Sequence, residues 1–172
     1  MKAALMALEG CSLWQTGQLA RVLVKNDWRV RTLTLQGSPI ATDGGQRIVS
    51  DGKLEEAVAM EYNMVLLPGG DYATASVFNA HAMRFLRQAD GHNAWIAATG
   101  RGVALLAAAG MLGGLRVAVD EPTKIAFPTL FTNMRLVMGK AAVDGNIVTA
   151  HATADAEVTE AVAKYVRLLT TL

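Results

Sequence analysis

The chain has 172 residues, of which 52% are hydrophobic and 18% are charged, and its formal net charge is +1. This length is typical of one domain that buries a core without support from a metal or a disulfide. The low net charge argues against a polybasic nucleic-acid surface and favours a small molecule or another protein as the partner. Cys11 is the single cysteine, which excludes an internal disulfide, and no cysteine and histidine cluster has the spacing of a zinc site. We therefore expect a single domain over residues 1–172, with no metal and no cofactor.

The sequence also bears on the compartment. No apolar run approaches the length of about eighteen residues that a membrane-spanning helix needs. The apolar stretch 3–8 is too short for the core and cleavage region of a signal peptide. We expect a cytoplasmic protein that neither crosses nor binds a membrane.

In chain order, short apolar segments alternate with amphipathic ones, and neither a linker nor a repeat separates them. Strands are predicted over residues 3–8, 29–35, 64–67, 95–98 and 116–119, with two short strands around 135–143 and 147–150. Helices are predicted over residues 13–26, 52–60, 80–89, 102–109 and 155–169, and a loop region over 120–133. Asp43-Gly44-Gly45 and Asp144-Gly145 predict hairpin turns. The alternation indicates an α/β fold, with a mostly parallel sheet covered by helices on both faces, which binds ligands beyond the carboxyl ends of its strands.

The most informative segment is residues 95–114, which predicts a strand, an abrupt turn and a helix with no loop between them. Gly100 stands at this turn, where enzymes with a nucleophile elbow hold a serine or cysteine on a strained backbone. Glycine tolerates the positive φ that such a turn imposes. We therefore expect the elbow's geometry without its usual reactive side chain.

Two motifs resemble those of the ThiJ/PfpI family, part of the class I glutamine-amidotransferase-like superfamily. Residues 62–70, YNMVLLPGG, are similar to the family's strand that ends in LPGG. Residues 96–106 are similar to its nucleophile elbow, which typically reads IAAICAGP. The resemblance covers nearly the full length, and it implies a flavodoxin-like three-layer sandwich and a homodimer.

The resemblance places the family's cysteine at Gly100, so the side chain that would attack a carbonyl is absent. The family's glutamate on the first helix falls on Gln15, and a histidine often found after the next strand aligns roughly with Asp120. Loss of all three groups is chemically coherent, because a base is useless without a nucleophile. The replacements predict a pseudoenzyme that has lost the family's cysteine chemistry.

Some parts of the family's pocket are retained. Backbone N–H groups at Gly70, Gly100 and Arg101 would stabilise an oxyanion in a catalytic relative. With Gly69 and Gln15, we predict that they bind a small anionic or carbonyl-bearing ligand. Arg101 at a helix N-terminus favours an anion, unless it is a solvated or dimer-interface arginine. The alternatives are a tight turn at the two glycines of the LPGG motif, and a Gln15 that hydrogen-bonds the elbow backbone.

The main hypothesis is therefore a small-molecule-binding, sensing or regulatory module. The alternative is a hydrolase or lyase acting on small aldehydes, amides or peptides through a rearranged site. Cys11 would then be a displaced nucleophile, His151 a base and Asp120 an orienting carboxylate. A small, partly buried cysteine is the simpler interpretation of Cys11, because no neighbouring cation in the sequence lowers its pKa.

Overall fold

The computed structural model describes residues 1–170 as a single alternating α/β unit. The strands are β1 (Lys2–Met6), β2 (Arg29–Thr34), β3 (Ile40–Ala41), β4 (Arg47–Ile48), β5 (Gly52–Lys53), β6 (Met64–Leu67), β7 (Trp95–Thr99), β8 (Arg116–Val117), β9 (Arg135–Leu136), β10 (Ala141–Asp144) and β11 (Ile147–Ala150). The α-helices are α1 (Gly17–Lys25), α2 (Thr74–Val77), α3 (Ala80–Gly91), α4 (Arg101–Ala108), α5 (Glu121–Ala126) and α6 (Asp155–Thr170).

Seven strands form the central sheet in the order β10-β11-β7-β6-β1-β2-β5. Every neighbouring pair is parallel except β10 and β11, which form a hairpin. The predicted mostly parallel sheet is confirmed, as is the turn at Asp144-Gly145. The carboxyl ends of β1, β6, β7 and β11 therefore lie side by side at one edge of the sheet.

Helices cover both faces of this sheet. In β1, Ala4 and Met6 enter one apolar layer, and Ala3 and Leu5 enter the other, because successive side chains of a strand point to opposite faces. The first layer packs against α3 and α4, and the second packs against α1 and α6. A parallel sheet buried on both faces needs continuous apolar strands, and β6 is buried at all four of its residues.

The predicted helix over residues 52–60 is wrong. β5 occupies the start of this segment at the edge of the sheet, and only Ala59–Glu61 forms a 3-10 turn. The Asp51 carboxylate accepts the N–H of Thr32 on β2 at 2.7 Å. This anchor to a strand distant in sequence overrides the local helical pattern.

The predicted loop region over residues 120–133 contains α5. The Asp120 carboxylate caps this helix by accepting the Thr123 N–H at 2.9 Å, and Pro122 lies in the first turn. Other differences concern bounds. The helix predicted over residues 13–26 is divided into a 3-10 turn, Leu13–Thr16, and α1. The strand predicted over residues 116–119 is the shorter β8, which pairs with β9 outside the main sheet.

Within residues 1–170, no helix combines the length and the apolar character that crossing a lipid bilayer requires.

The two-layer core makes a prediction about stability. Leu86 on α3 is fully buried, whereas Leu136 on β9 is 45% exposed. We expect Leu86→Ala to lower the free energy of unfolding by about 2–5 kcal/mol, because it removes buried methyl groups and leaves a cavity. Leu136→Ala is the matched control, with an expected loss of about 0.5 kcal/mol or less. Urea denaturation followed by circular dichroism measures both, and equal losses would contradict the described core.

Candidate functional site

A cleft of about 470 Å³ lies at the carboxyl ends of the central strands. Its walls come from the segments that follow β1, β6, β7 and β11, from the β3–β4 hairpin and from the beginning of α5. The residues predicted for the site that line it are Gln15, Gly70, Gly100, Arg101 and Asp120. The volume is within the range of clefts that hold small organic molecules.

Gly100 forms the elbow between β7 and α4. Its φ is 49° and its ψ is −125°, so the residue has the positive φ that glycine tolerates and other residues adopt only under strain. Its N–H donates to Ala150 O at 3.0 Å, and its carbonyl accepts the Val103 N–H at 2.9 Å. The abrupt turn expected from the sequence is therefore present, and it is anchored to both β11 and the first turn of α4.

Little room is left for a side chain at Gly100. A Cβ placed on this glycine would lie 3.3 Å from Gln15 Oε1 and 3.3 Å from Ala152 Cβ. These distances are short for non-bonded contacts, so a side chain here would need both neighbours to move slightly. The space beside Gly100 is thus enclosed by the side-chain oxygen of Gln15 on one side and the methyl group of Ala152 on the other.

Gln15 is 4% exposed, and its orientation is set by two buried hydrogen bonds. Its Oε1 accepts the Gly69 N–H at 3.1 Å and the Thr99 hydroxyl at 2.8 Å. Because a backbone N–H can only donate, the atom facing Gly69 must be the oxygen, which places the NH₂ group on the other side. That NH₂ makes no hydrogen bond to residues 1–170 and has solvent-accessible area in a residue that lines the cleft. Gln15 therefore holds the backbone of the turn after β6 and the hydroxyl of the residue before the elbow, rather than the elbow backbone itself, and its NH₂ group is a donor without a partner in the described residues.

Gly69 and Gly70 allow the loop after β6 to lie directly against the loop after β1. Gly70 has a φ of 128°, and a Cβ on it would overlap the carbonyl of Gly10 and lie 2.5 Å from Ser12 N. The two loops are joined by Ser12 N–H to Gly69 O and by Asp71 N–H to Gly10 O, both at 2.8 Å. The close approach explains why this turn requires glycine.

Of the three backbone donors predicted for the pocket, the Gly100 N–H is already bonded to Ala150 O, so that part of the prediction is wrong, and two donors are left. The N–H groups of Gly70 and Arg101 make no hydrogen bond within residues 1–170, and both residues line the cleft. Arg101 is the first residue of α4, where backbone N–H groups have no partner inside the helix. Together with the Gln15 amide, they supply donors suited to a carbonyl oxygen.

The side chain of Arg101 is bound to the neighbouring loop. Its Nη1 donates to Tyr72 O, and its Nη2 lies 3.2 Å from the Asp71 carboxylate. The side chain is 29% exposed. Part of its positive charge is already offset by Asp71.

The Asp120 carboxylate accepts hydrogen bonds from backbone N–H groups. In addition to capping α5, its Oδ2 accepts the Ala152 N–H at 2.8 Å. This bond holds the loop after β11 beside Gly100, where the Ala152 methyl borders the cleft. Both carboxylate oxygens of Asp120 therefore position the chain.

Cys11 and His151 do not line the cleft. Cys11 is fully buried, and burial, followed by the negative charge of Asp43, raises the pKa of its thiol from 9.0 to about 11. His151 follows β11, and its N–H donates to Lys140 O at 2.9 Å. The next two residues, Ala152 and Thr153, line the cleft in its place.

Sequence reasoning missed eight lining residues, which are Ser12, Trp14, Asp43, Asp71, Pro122, Thr123, Ala152 and Thr153. The Ser12 hydroxyl donates to the Asp43 carboxylate, which brings the β3–β4 hairpin over the loop after β1. The hairpin turn itself was predictable, but its place above the cleft depends on tertiary contacts. Asp71 directly follows the two glycines of the LPGG motif, so its position after a strand end was an available signal.

Comparison with known proteins places the chain in a family. The DJ-1/PfpI family model matches residues 1–164, so the chain belongs to the DJ-1/PfpI family. Among curated proteins, no sequence match was found.

Solved structures share the fold at low sequence identity. Drosophila melanogaster DJ-1beta is 22% identical with a TM-score of 0.83, and the match covers 96% of this chain and 89% of that one. A ThiJ/PfpI domain protein from Brachyspira murdochii is 17% identical with a TM-score of 0.86, covering 99% and 97%. A two-domain Anabaena variabilis protein, with DJ-1/ThiJ/PfpI-like and ferritin-like domains, is 21% identical with a TM-score of 0.85. The match covers 95% of this chain and 47% of that protein, so this chain spans about half of its length.

The loop junction predicts unequal effects of two glycine substitutions. Gly70→Ala, at a φ of 128°, forces a Cβ into the backbone of Gly10 and Ser12, whereas Gly45→Ala, at a φ of 80°, meets nothing within 4 Å. We expect Gly45→Ala to cost about 1 kcal/mol of stability from backbone strain alone, and Gly70→Ala about 3 kcal/mol or more. Urea denaturation measures both. Equal costs would show that the loops do not meet as described.

The raised pKa of Cys11 predicts slow alkylation. At neutral pH the folded protein should react with iodoacetamide about a hundredfold more slowly than the urea-unfolded chain, because only the thiolate reacts. The rate should rise as the pH approaches 11. Since the folded state holds this proton more tightly, its contribution to stability is present below about pH 9 and decreases from there toward pH 11. Mass spectrometry follows the modification, and rapid labelling of folded protein at neutral pH would contradict the burial.

Proposed function

We propose that this protein is a non-catalytic member of the DJ-1/PfpI family that binds a small carbonyl-bearing molecule and acts as a sensing or regulatory module. The observation that carries the proposal is the elbow at Gly100. Its backbone has the positive φ of a nucleophile elbow, yet the position has no side chain. A cleft that retains hydrogen-bond donors around a missing nucleophile is suited to binding.

The donors beside this position determine what the cleft binds. A carbonyl oxygen has two lone pairs and accepts hydrogen bonds from backbone N–H groups and from a primary amide. The free N–H groups of Gly70 and Arg101 and the NH₂ of Gln15 belong to the same cleft. With no nucleophile above the carbonyl carbon, such contacts hold the ligand without converting it.

Of the two ligand classes predicted from the sequence, the charge of the lining residues favours a neutral carbonyl compound over an anion. Asp43, Asp71 and Asp120 line the cleft, and Arg101, the cation among the lining residues, is paired with Asp71. A ligand carboxylate or phosphate would approach more negative than positive charge. A neutral carbonyl uses the same donors without this repulsion.

The alternative enzyme would need a rearranged catalytic group. Cys11 is buried with a raised pKa, Asp120 uses both oxygens on backbone N–H groups, and His151 does not line the cleft. A hydrolase or lyase built on these residues would have to break existing contacts before it could act. The geometry therefore supports the binding module better.

The assembly and compartment belong to the same proposal. We infer a cytoplasmic homodimer whose ligand is a small molecule, with no nucleic-acid or membrane partner. The family resemblance supports the dimer, and apolar side chains such as Val24 and Met60, 60% and 77% exposed, are available for an interface.

Benzamide, a neutral amide without other functional groups, tests whether the N–H groups of Gly70 and Arg101 and the NH₂ group of Gln15 bind a carbonyl oxygen. In a ¹⁵N NMR titration, benzamide should shift the backbone signals of Gly70 and Arg101 and the side-chain NH₂ signals of Gln15. Gln15→Glu should lower the affinity about tenfold, since it replaces a donor by an acceptor that repels the carbonyl oxygen. Gln18→Glu, on the exposed side of α1, is the matched control and should leave the affinity unchanged.

Two results would overturn the proposed function. One is benzamide binding that shifts no signal in the cleft, or that is equally weakened by both glutamate variants. The other is turnover of aldehydes, amides or peptides that Cys11→Ala or His151→Ala abolishes in a protein that remains folded. The second result would establish the enzyme alternative.

A further inference from the structure

We propose that the ligand of this cleft is a cationic amine that also carries a carbonyl group. The inference rests on the proposed function, because it assigns the ligand class of the same cleft. It combines two independent observations, an excess of negative charge among the lining residues and an amide donor of Gln15 that has no partner in residues 1–170.

The charge excess comes from side chains on three separate loops. Asp43 belongs to the β3–β4 hairpin, Asp71 follows β6, and Asp120 precedes α5. Three carboxylates stand against the one guanidinium of Arg101, which leaves a formal excess of two negative charges among the lining residues. No lysine, histidine or glutamate is among these residues, all of which lie in the described part of the chain.

Among the described side chains, no cation pairs with Asp43 or Asp120, whereas Asp71 is paired with Arg101. Asp43 accepts the Ser12 hydroxyl, and Asp120 accepts two backbone N–H groups. These neutral donors orient the carboxylates while their charge remains. Asp71 forms an ion pair with Arg101 through one oxygen, but its side chain is 81% exposed, so its second oxygen is open to solvent. The negative field of the cleft therefore persists for a ligand.

Gln15 supplies the observation that points to a ligand independently of the charges. It is 4% exposed, and its oxygen is held by Gly69 and Thr99, yet its NH₂ has no protein partner in residues 1–170. A donor on so buried a side chain, in a residue that lines the cleft, calls for an acceptor oxygen in the bound molecule. The acceptor cannot be a carboxylate without facing the three aspartates, so an uncharged carbonyl satisfies both requirements.

Trp14 adds an aromatic surface to the same cleft. It is 56% exposed although it is a large apolar side chain, and it precedes Gln15 in the 3-10 turn. Indole rings attract ammonium groups through their negatively charged faces. An exposed tryptophan beside carboxylates is consistent with a cationic ligand that has an apolar body.

Four related compounds test separately whether the ligand needs an ammonium group and whether it needs a carbonyl group. Para-aminomethylbenzamide carries both an ammonium group and a carbonyl, benzamide carries the carbonyl alone, benzylamine the ammonium alone, and para-carboxybenzamide an anion with a carbonyl. At low ionic strength, we expect para-aminomethylbenzamide to bind about tenfold more tightly than either benzamide or benzylamine, and para-carboxybenzamide to bind most weakly. The ¹⁵N NMR titration measures each affinity and locates each compound.

Charge-neutral variants test the origin of this preference. Asp43→Asn and Asp71→Asn each keep an acceptor oxygen but remove a negative charge, so each should weaken para-aminomethylbenzamide about three- to tenfold and weaken the uncharged benzamide clearly less. Asp27→Asn is the matched control, because Asp27 precedes β2 at the opposite end of the sheet and its positive φ suits asparagine. It should change neither affinity.

The outcomes separate the ligand class from the proposed function. If benzamide binds in the cleft but the ammonium group adds no affinity, or if para-carboxybenzamide binds more tightly, the cationic ligand class is wrong while the binding function stands. If the aspartate variants weaken benzamide as much as para-aminomethylbenzamide, the charges act through folding rather than recognition, and the inference fails. If none of the compounds shifts cleft signals, both proposals fail.

Discussion

Three loops at the carboxyl end of the sheet meet backbone to backbone, and the rest of the site depends on this contact. Gly70 lies against the loop after β1, and Gly102 at the start of α4 lies against the carbonyl of Leu67. Side chains at these two positions would separate the loops. Because the loops meet so closely, their hydrogen bonds are fixed by short backbone segments, and the elbow between β7 and α4 is held in its positive-φ conformation without help from a reactive side chain.

The same contact between the loops determines which polar groups are paired with each other and which remain open to the cleft. Gln15 reaches from the loop after β1 to the junction and satisfies the Gly69 N–H, while the N–H groups of Gly70 and Arg101 remain open toward the cleft. A glutamate at position 15 would provide the same acceptor oxygens but no NH₂ donors. Gly100 has no side chain that could attack a carbonyl, and the NH₂ group of Gln15 beside it is a donor without a partner in residues 1–170. Under the proposed function, both features favour binding over catalysis.

Much of this site could be predicted from the sequence, because its main elements are local. The elbow at Gly100 and the strand ending at Gly69 and Gly70 are contained in contiguous motifs whose turn and glycine requirements can be deduced from short-range sterics. The roles of Asp120 and Cys11 could not be deduced in this way. Asp120 holds the loop after β11 through Ala152, 32 residues away in sequence, and the burial of Cys11 follows from its pairing opposite Gly70. Both facts arise from contacts between segments that are distant in the chain.

The amino-acid sequence by itself determined the alternation of strands and helices, the mostly parallel sheet, the family and the absence of a side chain at the elbow. These properties follow from hydrophobic periodicity and from residue identity, which act within a few positions of the chain. Tertiary structure alone decided that residues 52–53 form an edge strand rather than a helix, that Arg101 is paired with Asp71, and that Asp43 stands over the cleft. Each of these depends on hydrogen bonds or charges brought together by folding, and local sequence contains no measure of distance between separate loops.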